Sequence, residues 1–482
     1  MTENTIYKIV DGGFEANQAK KRMNRALYGR YYEKEGGRLR ILSGELPELL
    51  LFHKKDRGRV FFQFQYQGTE KSLSSAAHIR MNYKEGRVCH IIEDEAFVGG
   101  KLQMETIPDI TGHGAVIKLV WNGKEPLELT ALVGCVSGME SGRAMDAGYT
   151  SQTDLNGNIL YQSKNTEQNE FAWIDRGVGV RKRDETEDGF YAWMVGSNFQ
   201  KKGECSGVER QGWFSVEKTD PERKLAYLIF SCQPKVPVWL WFGCEETAPG
   251  SNLVTELQER FQDAVNHYKM ISERMKLDTP SEVLNALTSA ACVAAEGYWL
   301  DPVFAHGAWS WDLPLMGWRS MYGPAILGME DRIWKEAALF TGLQLDKQGN
   351  CVDESLKKEI LCGKRFQTGM TYFHKQNEAN EKKNKEEKEK GVPDDAWQFA
   401  RQSPESVFVS EGMMPYMPTA LGVPMYNMQE VFIDQILYTF EKTGDREKIK
   451  ELFPAIERHL NWEERCFDHD HNGLYENYAN FW

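Results

Sequence analysis

The sequence predicts a chain in two parts, a β-sandwich followed by a mainly helical domain, and three observations carry that prediction. Apolar residues alternate with period two through much of the first half, as in half-buried strands. Gly- and Asn-centred turn signals separate those stretches. After "EETAPGS" the apolar spacing changes to three or four residues, the period of an amphipathic helix. With 482 residues the chain is long enough for two or more domains with full cores.

The elements follow in order. "RVFFQFQYQG" sets Val60, Phe62, Phe64 and Tyr66 on one face of a strand, with Phe61, Gln63 and Gln65 on the other. "IKLVWNGKEPLELTALVGCVSG" reads as two strands joined by a turn at Asn122-Gly123, and Asn156-Gly157 marks another hairpin turn. "KLAYLIFSCQPKVPVWLWFGC" is β-rich, with Pro234 and Pro237 calling for an edge or a bend. Many short strands of this kind suit a sandwich over residues 1 to 248. Leu253, Leu257, Phe261, Val265, Tyr268 and Ile271 then form the stripe of a connecting helix within 249 to 279. A second helix is expected from Thr279 as N-cap, with Pro280 in the first turn and Glu282 closing a capping box.

From 280 to 482 the chain reads as helical. "NEANEKKNKEEKEK", 377 to 390, has no large apolar side chain and is expected to be a solvated insertion within about 375 to 392. Met428, Phe432, Ile436 and Phe440 form one stripe, ending at Thr443-Gly444. Ile449, Leu452, Ile456 and Leu460 form the next, with Pro454 kinking or restarting the helix. Together they are a helical hairpin.

Composition excludes several function classes. A net charge of −13 opposes a nucleic-acid partner, because phosphate neutralisation needs a basic surface. No apolar run reaches membrane-spanning length, so no membrane role is expected. The N-terminus "MTENTIYKIVDGG" lacks the basic start, apolar stretch and cleavage site of a secretory signal, which points to the cytoplasm. Nine cysteines without a CxxC pair fit reduced thiols better than a disulfide framework. Asp468, Asp470, Asn472 and Gly473 open like a calcium loop, but the chelating twelfth position is Ala479, so an Asx-rich turn is expected and no metal. Gly-rich phosphate motifs, a nucleophile elbow and HExxH are absent, so no cofactor is expected.

What remains is carboxylates and aromatics, the inventory of glycoside chemistry. "HGAWSWDLPLMGWRSMYG", 306 to 323, gathers Trp309, Trp311 and Trp318 around Asp312 and Arg319. Flat apolar faces beside charged hydrogen-bonding groups suit a sugar subsite; they also suit a well-packed helix start. Tyr426 and Asn427 are expected just before a helix, facing the ligand or, for Asn427, serving as N-cap. Glu411 in "SEGMMP" and Glu476 in "GLYEN" lie in predicted loops and are the candidate catalytic carboxyls, Glu476 first. Glu430 and Glu464 are read as solvated or ion-paired helix residues.

"GWR" at 317 to 319, "YNMQEVFIDQILYTFEKTGD" at 426 to 445 and "FDHDHNGLYENYANFW" at 467 to 482 resemble a bacterial family of six-hairpin glycosidase-like proteins. "MNRALYG" and "SGELPELLLF" resemble the start of that family's N-terminal domain, whose function is unassigned. The resemblance implies a β-sandwich followed by an (α/α)6 toroid, in a superfamily dominated by inverting glycoside hydrolases. It implies that Trp318 and Arg319 line the sugar site, with Arg319 holding a hydroxyl pair or a uronic carboxylate through its planar fork. A structural ion pair at a helix start is the other role open to Arg319. It also implies an incomplete toroid, because the family pattern continues into further helices beyond Trp482. The Met428/Phe432/Ile436/Phe440 stripe would then be left exposed, and the second catalytic carboxylate would lie outside the chain. The function expected is hydrolysis of an oligosaccharide or polysaccharide. A lyase or phosphorylase on the same architecture, or a non-catalytic glycan-binding protein, is the alternative. Release of reducing sugar separates enzyme from binder.

Overall fold

The computed structural model describes residues 7–17, 28–34, 37–53, 56–110, 114–136, 169–182, 191–197, 199–205, 225–243, 252–305, 315–361, 409–418, 426–468 and 470–475. The charged segment 377 to 390, the Asn156-Gly157 turn, Trp309, Trp311, Asp312 and Glu476 lie outside them. The chain forms two compact units: Met1–Tyr32 with Gly37–Gly297, and Glu33–Gly36 with Tyr298–Trp482.

In the first unit the described strands make a ten-stranded and an eight-stranded sheet. Leu102–Pro108, Gly114–Trp121 and Val238–Gly243 pair antiparallel at the centre of the former. Asp56–Tyr66, Leu127–Val136 and Leu225–Cys232 do so in the latter. The two sheets share one core, in which Phe62, Phe64, Leu129 and Phe230 meet Met104, Ile117, Leu119, Leu240 and Phe242. This is the sandwich that the period-two alternation predicts. Val60, Phe62, Phe64 and Tyr66 all face that core; Phe61 and Gln63 on the opposite face are buried too.

One local expectation changes. Strands Gly114–Trp121 and Leu127–Val136 flank the Asn122-Gly123 turn but do not pair, because each belongs to a different sheet. The Trp121 ring fills the space beneath the connection and its indole N–H donates to Glu125 O at 2.6 Å. A Cβ at Gly123 would stand 2.0 Å from that ring, so the close passage needs glycine. The segment with Pro234 and Pro237 likewise carries the chain from one sheet to the other, where strand pairing is not required.

Helix α1, Leu253–Ser272, buries Leu253, Leu257, Phe261, Tyr268 and Ile271 as the stripe predicts. It is fixed by an ion pair on a buried carboxylate: Arg260 Nη1, partly exposed, donates to Asp109 Oδ2 at 2.8 Å, and the Trp241 indole donates to the same oxygen at 3.3 Å. Helix α2 is Glu282–Gly297, and its cap differs from the expected one. Ser281 Oγ accepts the Leu284 N–H, while Asn285 closes back onto Thr279 through three hydrogen bonds of 2.9 to 3.0 Å. The short polar side chain that can reach the free amides sits at Ser281, two residues past Thr279, and Asn285 replaces Glu282 as the reciprocal partner.

The second unit holds α3, Tyr322–Ile326, α4, Glu330–Gly342, α5, Glu354–Leu361, α6, Tyr426–Thr443, and α7, Arg446–Phe467. Tyr426 and Asn427 thus lie in the first turn of α6 rather than before it. Gly444, at φ +66°, ends α6, and Asp445 caps α7 by accepting the Lys448 N–H at 3.0 Å. Helix α7 runs unbroken through Pro454. Its buried stripe, Leu452, Ala455, Ile456, His459, Trp462 and Cys466, continues across the proline and holds the helix together there. Leu460 faces solvent.

Of the Met428/Phe432/Ile436/Phe440 stripe, expected to be an exposed flank, the first three residues are buried and Phe440 is half-buried; Phe432 meets Phe340 of α4 edge-on at 5.3 Å. The Asp468–Leu474 turn is self-capped: Asp468 Oδ1 accepts the Asn472 N–H at 2.9 Å and Asn472 Oδ1 the Leu474 N–H at 2.7 Å. None of the described helices is long and apolar enough to cross a membrane.

Candidate functional site

Helix α6 has two faces because its sequence has two. Met428, Phe432, Ile436 and the buried amides Gln429 and Gln435 point inward, and Glu430, Val431, Asp434 and Tyr438 occupy the opposite side. Glu430 and Asp434 are one turn apart, so two like charges share a ridge at about 6 Å between Cβ atoms, which costs the isolated helix a few tenths of a kcal/mol. An arrangement that local stability disfavours is a signal for function.

That ridge forms one wall of an open cleft of about 450 Å³, lined by Arg319, Tyr322, Glu430, Val431 and Asp434. The other wall is the "GWR" turn and the start of α3, and buried contacts clamp it to α6. Gln435, fully buried, accepts the Met321 N–H at 2.8 Å and donates to Met316 O at 3.2 Å, holding both ends of the turn. Gly317 lies so close to α6 that a Cβ there would stand 2.1 Å from Met428 O. Between these fixed points Arg319 adopts φ +62°, a left-handed backbone uncommon outside glycine and asparagine.

The electrostatics differ across the cleft. Tyr322 donates its phenolic hydrogen to Asp434 Oδ2, and burial together with that bond pushes the phenol up to about 12. Its ring meets Tyr438 edge-on at 5.2 Å. The Glu430 carboxyl is raised above the usual carboxylate range, first by desolvation and then by the negative field of Glu463, with His459 opposing. Glu463 and His459 are buried neighbours on α7, Nε2 lying 2.9 Å from Oε1. Tyr475 belongs to the same group: burial and the charges of Glu463 and Glu430 push its phenol up to about 12. Chemically, the cleft offers a carboxyl raised above its usual range, a second carboxyl bonded to a phenol, and a guanidinium. Among the described residues no group of three or more His, Cys, Asp or Glu is arranged to hold a metal ion.

The sequence candidates fall as follows. Arg319 lines the cleft, and half-buried Trp318 is its neighbour in the same turn. Asn427 shares the outward side of α6; its Oδ1 is buried with no partner among the described residues. Tyr426 begins α6. Glu411 stands in a turn that α7 holds through Arg465, whose Nη2 donates to Glu411 O at 2.6 Å, and it does not line the cleft. Trp309, Trp311, Asp312 and Glu476 are outside the described residues. Sequence reasoning passed over Tyr322, Asp434 and Gln435; it placed Glu430 on a solvated helix face, where the structure has it exposed, but did not connect it with the cleft. The Glu430/Asp434 spacing was the available signal.

No family model matches the chain, and no curated protein matches it. Among solved structures it is similar to a bacterial glucoamylase complexed with acarbose, at 8% identity and a TM-score of 0.44, over 92% of this chain and 68% of that one. A likeness of that degree leaves the site to be read from its own residues.

Proposed function

We propose that the chain is carbohydrate-active and that its cleft serves glycosidic bond hydrolysis, with Glu430 as the acid. The observation that carries this reading is the raised Glu430 carboxyl in an open cleft shared with Asp434 and Arg319. Glycosidase chemistry needs one carboxylic acid that keeps its proton near neutral pH to protonate the departing oxygen. It needs a second carboxylate to activate water or attack the sugar. Glu476 takes that second role in the proposal: it follows Tyr475 directly in the chain, and Tyr475 is in the electrostatic field of Glu430. Asp434 and Tyr322 bind sugar hydroxyls, and Trp309, Trp311, Asp312 and Trp318 are assigned to sugar binding on their residue types alone. A toroid of helical hairpins and an inverting outcome belong to the same proposal.

The cleft favours hydrolysis over lyase chemistry. A lyase requires a base to remove a proton beside the uronic carboxylate. Tyr322, the phenol in the cleft, is held protonated by burial and by its bond to Asp434. Incubating the protein with a panel of oligosaccharides tests both readings. Reducing sugar without an unsaturated product supports the hydrolase, an unsaturated product supports the lyase, and binding without either supports a glycan-binding protein.

A further inference from the structure

The cleft's three charged groups are not equally provided for. Asp434 already accepts the Tyr322 hydroxyl, and the Glu430 carboxyl is raised above its usual range by desolvation and by Glu463. Arg319 lines the same cleft as both carboxyls, yet it makes no hydrogen bond or ion pair with a described residue. The turn keeps it so. Gln435 pins Met316 O and Met321 N, Gly317 is pressed against the Met428 backbone, and the crest between them is left in a left-handed conformation at Arg319. A non-glycine residue held at φ +62° is strained, and glycine would relieve that strain. Arginine at the strained crest is therefore there for its side chain.

We infer that the site selects a sugar carrying a carboxylate, a uronic acid residue, and that Arg319 is its receptor. The inference rests on the reading of the cleft as a carbohydrate site. Sugar hydroxyls both donate and accept: Asp434 and Glu430 can take their hydrogens, and the hydroxyl oxygens are only neutral acceptors for a guanidinium. What a neutral sugar lacks is an anionic partner for a guanidinium, whose fork fits a planar carboxylate through two parallel hydrogen bonds. A single negative charge also suits a cleft in which one arginine faces two carboxyls better than a doubly charged phosphate would. Gln435 is the positioning residue that presents the guanidinium.

Calorimetric titration with glucuronate, galacturonate, glucose, galactose and a sulfated galactose tests this, alongside thermal unfolding. The wild type is expected to bind a uronate more tightly than its neutral counterpart. Arg319→Gly should weaken uronate binding roughly 10- to 100-fold, the loss of a charge-assisted pair, while leaving neutral sugars unchanged. Its melting temperature should stay level or rise, because the strained backbone is relieved. Arg319→Asn, which also tolerates the left-handed region, should behave alike and guards against a folding failure of the glycine variant. Uronates binding no better than neutral or sulfated sugars would overturn the inference. So would equal losses for uronate and neutral sugar, or a lower melting temperature in both variants, which would make Arg319 a brace of the turn. Uronate bound through Arg319 but never cleaved would retain this inference and refute the hydrolase. Cleavage of neutral sugars indifferent to Arg319 would do the reverse.

Discussion

Replacing Glu336 by glutamine should flatten the pH dependence of stability of the helical unit. Glu336 lies on α4, fully buried, with Oε2 accepting the Phe304 N–H at 2.7 Å and Oε1 bonded to no described residue. Burial pushes its carboxyl from 4.5 up to about 8, with the Phe304 amide opposing. Below about pH 4.5 folded and unfolded chains both carry the proton and the group is neutral to folding. As pH rises from there to about 8, the unfolded chain releases the proton while the folded one must hold it. Stability falls at about 1.4 kcal/mol per pH unit through that window and levels off above it. The loss is on the order of 3 kcal/mol by pH 7 and 5 kcal/mol by pH 9. Glutamine keeps an acceptor for Phe304 and cannot ionise. Urea unfolding followed by circular dichroism at pH 5, 7 and 9 measures the difference between the two proteins. The variant should gain relative to wild type at each step upward in pH. Parallel profiles would show that Glu336 is not a buried neutral acid and would refute the reasoning.

Further outcomes concern the site and its supports. Gly317→Ala forces a Cβ to within 2.1 Å of Met428 O and should lower stability by about 2–3 kcal/mol, read in denaturant midpoints, while dislodging Arg319 from the cleft. Asp109→Ala removes the carboxylate that Arg260 and the Trp241 indole share, so α1 should loosen from its sheet at a cost of about 3–5 kcal/mol, visible as faster hydrogen exchange in 253–272. Asp445→Ala removes the cap of α7 and should cost about 1 kcal/mol in thermal unfolding. Glu476→Gln should lower kcat by two or more orders of magnitude with sugar affinity retained; a near-wild-type kcat would remove it from the mechanism.

The elements that were legible in the sequence were those set by one dominant period. The Val60/Phe62/Phe64/Tyr66 alternation and the Leu253-to-Ile271 stripe lie where they were expected, because burying one face of a strand or helix is enough to dictate each. Connections between sheets were not legible. Asn122-Gly123 looks the same whether it joins two paired strands or carries the chain across a sandwich, and only the Trp121 ring beneath it decides. Pro454 misled because a local breaker was outweighed by the long buried stripe of α7. At the site, "GWR" could be read as important but not why: Gln435, more than a hundred residues away, sets the backbone of that turn. Glu430 was hidden for a similar reason. Glu430 is exposed, as a glutamate on the polar face of a helix should be, and what sets it apart is a carboxyl raised by desolvation and by Glu463 on the next helix.

Sugar release from an oligosaccharide panel, followed against pH for wild type and Glu430→Gln, tests the role of Glu430 most directly. With Glu430 as the acid, wild-type activity should fall on its alkaline side with an apparent pKa above the usual carboxylate range. The glutamine variant should lose two to four orders of magnitude in kcat with KM nearly unchanged, the usual share of general acid catalysis. A variant that keeps wild-type kcat and the same alkaline limb would contradict the assignment of Glu430.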